Sequence, residues 1–309
     1  MTRPAASIII PVYNRPEELS HVLGQLAVQS RLDFEVVVVD DGSSPPMTPP
    51  AAPLPYNLRV VRNKQRGGIG KARNTGIASA GAELLVFVDS DGDIADTRWF
   101  EKHLALYPQA VEMARQAGKT GCVLHSEVVG ISRNYWGRTD TYSNWFGSAM
   151  TRPCMVTDRH VPTHNTSVYR EVFDHTGPFD ESLEVCEDVE WSFRCLDSGI
   201  GLIFIPGAPV GHFDRNGFSG MWNHYYRFGR YALKARSKVK RTPYAWLFPR
   251  GPLSGVVLFF PVPMLMTGYV IWQWLRRDFK VLLYLPGLYL ANLASYIGIC
   301  RSLLDKKDL

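Results

Sequence analysis

An α/β fold, with a mostly parallel sheet and helices on both faces, is what the first two thirds of this 309-residue chain predict. Three observations predict it. Short β-branched runs, SIIIPV and FEVVVVD, carry no polar face, as in strands buried on both sides. Helix-like stretches alternate with such runs. Tyr13, Asp41 and Asp91 each fall just past the C-terminal end of a strand, the edge at which open α/β sheets bind ligands.

Ser7–Val12 is the first strand. Pro16 then opens a helix to about Ser30, with Glu17 and Glu18 in its first turn. Phe34–Asp40 is the second strand. PPMTPPAAPLP, residues 45–55, excludes regular helix or strand. Leu58–Arg62 is a short third strand, and GGIGKARNTGIASAG is a glycine turn into a helix. Leu84–Asp89 is the fourth strand, Trp99–Gln116 a helix and Cys122–Val128 a fifth strand. Past residue 130 the alternation lapses, and SRNYWGRTDTYSNWFGS reads as loops. Glu187–Ser198 is helical, Leu202–Ile205 a strand and Phe218–Ala235 a helix.

The C-terminal third is different. Gly251–Leu275 is 25 residues without a charge, and Val281–Cys300 is another 20. About 20 apolar residues in a helix cross a bilayer core. Pro261, Pro263 and Pro286 interrupt these runs, and Arg276, Arg277 and Lys280 lie between them. Spanning and in-plane helices both stay open. The domain reading is therefore a catalytic domain over 1–220, a basic amphipathic connector over 221–250 and membrane-associated helices over 251–309.

Net charge is +5, but it is unevenly placed. Arg227, Arg230, Lys234, Arg236, Lys238, Lys240, Arg241 and Arg250 occur with no acid among them. Such a segment suits anionic headgroups rather than nucleic acid. The five cysteines, Cys122, Cys154, Cys186, Cys195 and Cys300, are scattered and form no CxxC pair, so neither zinc nor a disulfide framework is indicated. The N-terminus reaches its first strand at once and lacks the pattern of a signal peptide.

LLVFVDSDGD poses the chemical question. Asp89, Asp91 and Asp93 crowd one strand end, and like charges that close repel unless a positive group intervenes. A solvated turn and a cation site are the two readings. Spacing removes other nucleotide chemistries. No glycine follows the first strand, so a dinucleotide fingerprint is absent. GGIGKAR has Gln65 and Ala72 where a phosphate-binding P-loop needs Gly and Ser/Thr.

SIIIPVYNR, VVVVDDGSS, GGIGKARNTGI, VFVDSDGD, GPFDES and CEDVEWSFR occur in the order seen in family 2 glycosyltransferases of the GT-A fold. The chain resembles that family over about residues 5–215. The resemblance implies that Pro11 and Tyr13 line the base pocket and that Asp41 accepts a hydrogen bond from a uracil-type imide. Gly68 permits close backbone approach, and Lys71 or Arg73 meets the pyrophosphate. Asp91, with Asp89 beside it, would bind Mg2+ or Mn2+ at the two phosphates. Asp93 departs from the common spacing. Asp188, with Glu187 before it, matches the family's base, and a base on the far face of the sugar implies inversion. His212 is a further metal ligand, a contact to the diphosphate or a surface histidine. Asn165, after His164, sits where the family lines the donor-sugar pocket. Trp191 reads as core.

The donor implied is a UDP or GDP sugar. The acceptor reading is a hydroxyl of a lipid-linked or surface glycan at the cytoplasmic face of the cell membrane. No Q-x-x-R-W follows the base motif, which argues against a processive polymer synthase. A polyprenyl-phosphate glycosyltransferase is the alternative within the class. A catalytically silent glycan- or nucleotide-binding membrane protein is the alternative outside it.

Overall fold

The computed structural model describes residues 3–50, 52–240 and 243–305. Met1, Thr2, Ala51 of the proline-rich stretch, Arg241 of the basic run, Thr242 and residues 306–309 lie outside these. In chain order the elements are β1 (Ala6–Val12), α1 (Pro16–Ala27), β2 (Phe34–Asp40), β3 (Asn57–Arg62), α2 (Ile69–Ser79), β4 (Leu84–Phe87), β5 (Gly92–Asp93), α3 (Trp99–Gln116), β6 (Gly121–His125) and β7 (Val128–Ile131). There follow α4 (Tyr135–Asn144), β8 (Cys154–Val156), β9 (Thr166–Tyr169), α5 (Arg170–Thr176), α6 (Glu187–Asp197), β10 (Ile200–Phe204) and β11 (Val210–Phe213). The chain ends with α7 (Phe218–Ser237), α8 (Pro252–Val257), α9 (Pro261–Leu275), a 3-10 helix at Phe279–Tyr284 and α10 (Leu285–Leu304).

The chain packs as two compact units. The first takes the residues up to Val128 together with Arg152–Gly211. Its sheet has the order β3-β2-β1-β4-β9-β6-β10-β8. β3, β2, β1 and β4 run parallel, as do β6 and β10. β9 is antiparallel to both β4 and β6, and β8 to β10. The α/β class with a mostly parallel sheet is as expected. β9 was not expected, because TSVY is four residues long and half polar.

Every residue of β1 and β2 is buried, which is why they read as unbroken apolar runs. Ile8, Ile10, Val36 and Val38 join α1 residues Val22 and Leu26 and α3 residues Trp99 and Phe100 in one cluster. Ile9 faces the other way, against α2, where a Cβ on Gly76 would come within 2.4 Å of it. Helices therefore cover both faces. Pro11 sits inside a central strand although it has no N–H to donate. The β1–β4 register ends at Ile9↔Phe87, and Val88 N–H donates to Ile9 O at 3.2 Å. By alternation Pro11 turns its nitrogen to the side that β4 has already left.

The second unit comprises Val129–Thr151 and the residues from His212 onward. This division falls at 129–151 and 212 rather than at 220. The stretch expected as loops, 132–148, holds α4, whose N-cap Asn134 accepts from Gly137 N–H at 3.0 Å. Its polar residues hid it from a hydrophobic-periodicity reading, because they point inward. Asp140 is fully buried and accepts from Tyr225 Oη at 2.9 Å and from Arg215 at 3.1 Å. Helices α7 and α10 cross backbone to backbone. A Cβ on Gly229 would stand 1.9 Å from Ser295 O, and one on Gly298 2.1 Å from Tyr226 O. The first apolar run is broken into α8 and α9, of 6 and 15 residues. Among the described residues one helix, Phe279–Leu304, is long and apolar enough to cross a membrane, and 44% of its apolar window is buried in the protein.

Candidate active site

The site is built at the C-terminal ends of the first unit's strands. Its centre is Arg73, on the second turn of α2. Arg73 is only 2% exposed, and its two terminal nitrogens reach different carboxylates. Nη2 donates to Asp89 Oδ1 at 2.8 Å, and Nη1 donates to Glu187. One buried guanidinium therefore ties the end of β4 to the start of α6. A buried cation is tolerable only where anions surround it, and here the charges of Asp89, Glu187 and Asp188 all act on it. Gly68 makes the turn possible. It caps α2 with φ of +88°, a left-handed conformation that favours glycine.

Two acids begin α6, and their surroundings raise both proton affinities. Burial lifts Glu187 above its ordinary range, the charge of Asp188 lifts it further, and Arg73 opposes. Burial also lifts Asp188, Arg73 opposes, and Asp89 adds to the rise. Glu187 is bound to Arg73. Asp188 is half-buried and accepts from the N–H of Val189 at 2.8 Å. A partly accessible carboxylate shifted toward neutrality suits a general base. Cys186, just before the pair, holds φ of +67°. Left-handed backbone at a non-glycine residue marks a place where the fold spends stability to aim side chains.

The acidic trio finds protein cations. Asp91 pairs with Arg15 at 2.5 Å, and Asp93 meets His21 at 2.8 Å and Gln25 at 2.5 Å. Asp89 and Asp91 still present partly exposed carboxylate oxygens, donors that suit Mg2+ or Mn2+. A cation there competes with Arg15 for Asp91. Among the described residues no three His, Cys, Asp or Glu side chains gather as a metal site. His212 belongs to the second unit. Its Nδ1 lies 3.3 Å from Asp214, and its ring meets Trp145 edge-on at 4.9 Å. It is buried, which excludes the surface-histidine reading.

Other expected residues take tasks that differ from the expectation. Asn165 is fully buried at φ of +66°. Its Oδ1 accepts from Trp99 at 2.9 Å and His103 at 2.8 Å, and its Nδ2 donates to Glu127 O and Ala208 O. With every valence used, it is a structural clamp and not a sugar ligand. Arg73 is buried with both terminal nitrogens turned to carboxylates, which makes exposed Lys71 the accessible cation of that helix start. Pro11 is buried within β1 and lines no open surface. Asp41 accepts from Asn63 at 2.8 Å and from the N–H groups of Gly67 and Gly68 at 3.0 and 2.9 Å. It shapes the glycine turn first. Asp40 caps the DDGSS turn through Ser43 N–H and binds Arg62. Tyr13 is 39% exposed, with the Arg66 guanidinium 4.7 Å above its ring. Trp191 is core, stacked on Phe173 at 4.9 Å.

Sequence reasoning missed Arg15 and His21 as partners of the trio. The signal was present: Arg15 follows β1 as Asp91 follows β4, and adjacent parallel strands bring such positions to one edge.

Residues 7–177 match the family model described as glycosyl transferase family 2. The chain belongs to that family. This family 2 enzyme is 28% identical over 231 residues to glycosyltransferase AglE of Haloferax volcanii, covering 68% of this chain and 69% of that one. It is 38% identical over 227 residues to validoxylamine A glucosyltransferase of Streptomyces hygroscopicus subsp. jinggangensis, covering 64% of this chain and 52% of that one. It spans 16% of the O-antigen biosynthesis protein RfbC of Myxococcus xanthus at 27% identity, covering 65% of this chain. Among solved structures it is similar to the mannosyltransferase PcManGT from Pyrobaculum calidifontis, in complex with GDP-Man and Mn2+. That likeness has a TM-score of 0.57 at 16% identity, over 99% of this chain and 89% of that one, and it supports the GT-A-like fold. The chain is a glycosyltransferase.

Proposed function

We propose that this enzyme transfers a sugar from a UDP or GDP sugar to a hydroxyl of a lipid-linked or surface glycan, with inversion, at the cytoplasmic face of a membrane. The observation that supports this reading is the Asp89–Arg73–Glu187 chain, which ties the start of α6, where Asp188 stands, to the end of β4; in this reading the donor diphosphate would lie at that strand end. Asp188 takes the acceptor hydroxyl proton as the oxygen attacks the anomeric carbon. Glu187 stays bound to Arg73 and fixes the start of α6. Arg73 keeps two acids from repelling each other out of place. Asp89 and Asp91 would hold Mg2+ or Mn2+, which when bound would offset charge on the departing diphosphate. Exposed Lys71 supplies further positive character. AglE, a glycosyltransferase, and PcManGT, in complex with GDP-Man and Mn2+, support the donor and metal readings by similarity.

The test combines two readouts. Thermal shifts with a panel of nucleotide sugars, each with Mn2+, Mg2+ or EDTA, should single out one donor and show a metal requirement. NMR of the product should show an anomeric configuration opposite to the donor's. Retained configuration sinks the Asp188 base. Equal rates on a water-soluble sugar and on a detergent-dispersed lipid acceptor sink the acceptor reading.

A further inference from the structure

Helix α9 is inside out. Its exposed stripe is Pro261, Met264, Leu265, Gly268, Trp272 and Leu275, without one polar side chain. Its buried stripe carries the polar atoms. Thr267 donates to Pro263 O at 2.7 Å and accepts from Asn292 of α10 at 3.1 Å, and Trp274 Nε1 donates to Tyr142 O at 2.9 Å. A surface helix in water shows the reverse pattern. Polar groups turned inward and apolar groups outward fit a helix whose outer solvent is hydrocarbon. Helix α8 repeats the pattern. Leu253, Val256 and Val257 lie on one face and are 80%, 73% and 67% exposed.

We propose that α8, α9 and the 3-10 helix after them dock in the plane of one leaflet of an anionic bilayer and do not cross it. Length argues first. Fifteen residues of α9 reach roughly 22 Å, short of the roughly 30 Å hydrocarbon core. Helix α10 is long enough, but it is tied to α7 at Gly229 and Gly298. Helix α7 carries Arg227 and Arg230 beside that crossing, and seating α10 at the bilayer centre would draw both into hydrocarbon. Charge supplies the complement. Exposed Arg250 precedes α8, and exposed Arg276 and Lys280 follow α9. The one acid in residues 251–304, Asp278, is engaged by Tyr142 and Arg138. Cations at both ends of an apolar surface meet anionic headgroups while the stripe between them enters the acyl region. The inference rests on the functional reading only for the location of the acceptor.

The experiment is flotation of the full chain with vesicles of phosphatidylcholine, alone or mixed with phosphatidylglycerol. Wild type should float with the mixed vesicles, less with the neutral ones, and be released by alkaline carbonate. Leu265→Glu and Trp272→Glu should each weaken partitioning by about tenfold, the scale of losing one large apolar side chain's burial. Arg276→Glu with Lys280→Glu should remove the preference for the anionic vesicles. Nucleotide thermal shifts on the same variants should match wild type, so a loss there indicts the fold and not the surface. Unchanged flotation of both apolar variants overturns the proposal. So does resistance to carbonate, which means a crossing helix. So does a vesicle-free dimer that the same substitutions dissociate, which means a second copy covers the face.

Discussion

The two units solve opposite problems with the same residue types. In the first, apolar side chains fill the strands and charged ones gather at strand ends around a buried arginine. Among its described residues only Tyr13, Val28, Val111 and Tyr169 are large hydrophobics left exposed. In the second, the polar groups are inside. Asp140, Asp214, Thr267 and Asn292 are buried and hydrogen-bonded, while Leu253, Phe260, Trp272 and Leu283 face outward. Buried charge in the first unit aims reactive groups. Buried polarity in the second ties its helices to one another.

The largest effect that would break this contrast is at Asp188. Asp188→Asn keeps the shape and removes the base, and kcat should fall ~10²–10⁴-fold, with donor binding by thermal shift unchanged. Near-normal turnover would instead point to an acceptor phosphate, which needs little base help. Next is Arg73→Met, which leaves Asp89 and Glu187 without their shared cation. Unfolding in denaturant should show a loss of about 3–5 kcal/mol. A loss under 1 kcal/mol would mean that the cluster rearranges freely. In the second unit, Gly298→Val drives a side chain into Tyr226 O and should cost about 1–3 kcal/mol by overpacking. Activity on a soluble acceptor should survive where the fold does. The smallest is Asn165→Ser, which strands donors and acceptors that Asn165 now satisfies. It should lower stability by about 1–3 kcal/mol without raising the donor KM. A selective rise in KM would restore Asn165 as a sugar ligand.

Much of the first unit was legible, because buried parallel strands advertise themselves as continuous β-branched runs. β9 escaped, since a four-residue antiparallel strand between two others needs no apolar run of its own. Helix α4 escaped because Asp140 and Thr141 point inward, so its periodicity is one of hydrogen bonds and not of hydrophobicity. At the site, the aspartates and the Glu187–Asp188 pair stood out as charges in places where charge is costly. The task of Arg73 was not legible. Nothing in GGIGKARNTGI says whether an arginine faces a ligand or turns inward to two carboxylates that follow 16 and 114 residues later. The C-terminal runs were legible as apolar and as interrupted, and Pro261 and Pro263 do stand near the break between α8 and α9.

The raised proton affinities of Glu187 and Asp188 have consequences of opposite sign. The folded state holds these protons to higher pH than the unfolded chain does. Stability from this pair is therefore lost as pH climbs from the ordinary carboxylate range through the raised values. Activity moves the other way, because a base works only once deprotonated. The most direct measurement is the pH dependence of kcat/KM at saturating Mg2+ or Mn2+. The acid limb should lie well above the ordinary aspartate value of about 4, displaced toward neutrality, and should vanish from the residual activity of Asp188→Asn. A limb at the ordinary value, or one that persists unchanged in the variant, would contradict the account.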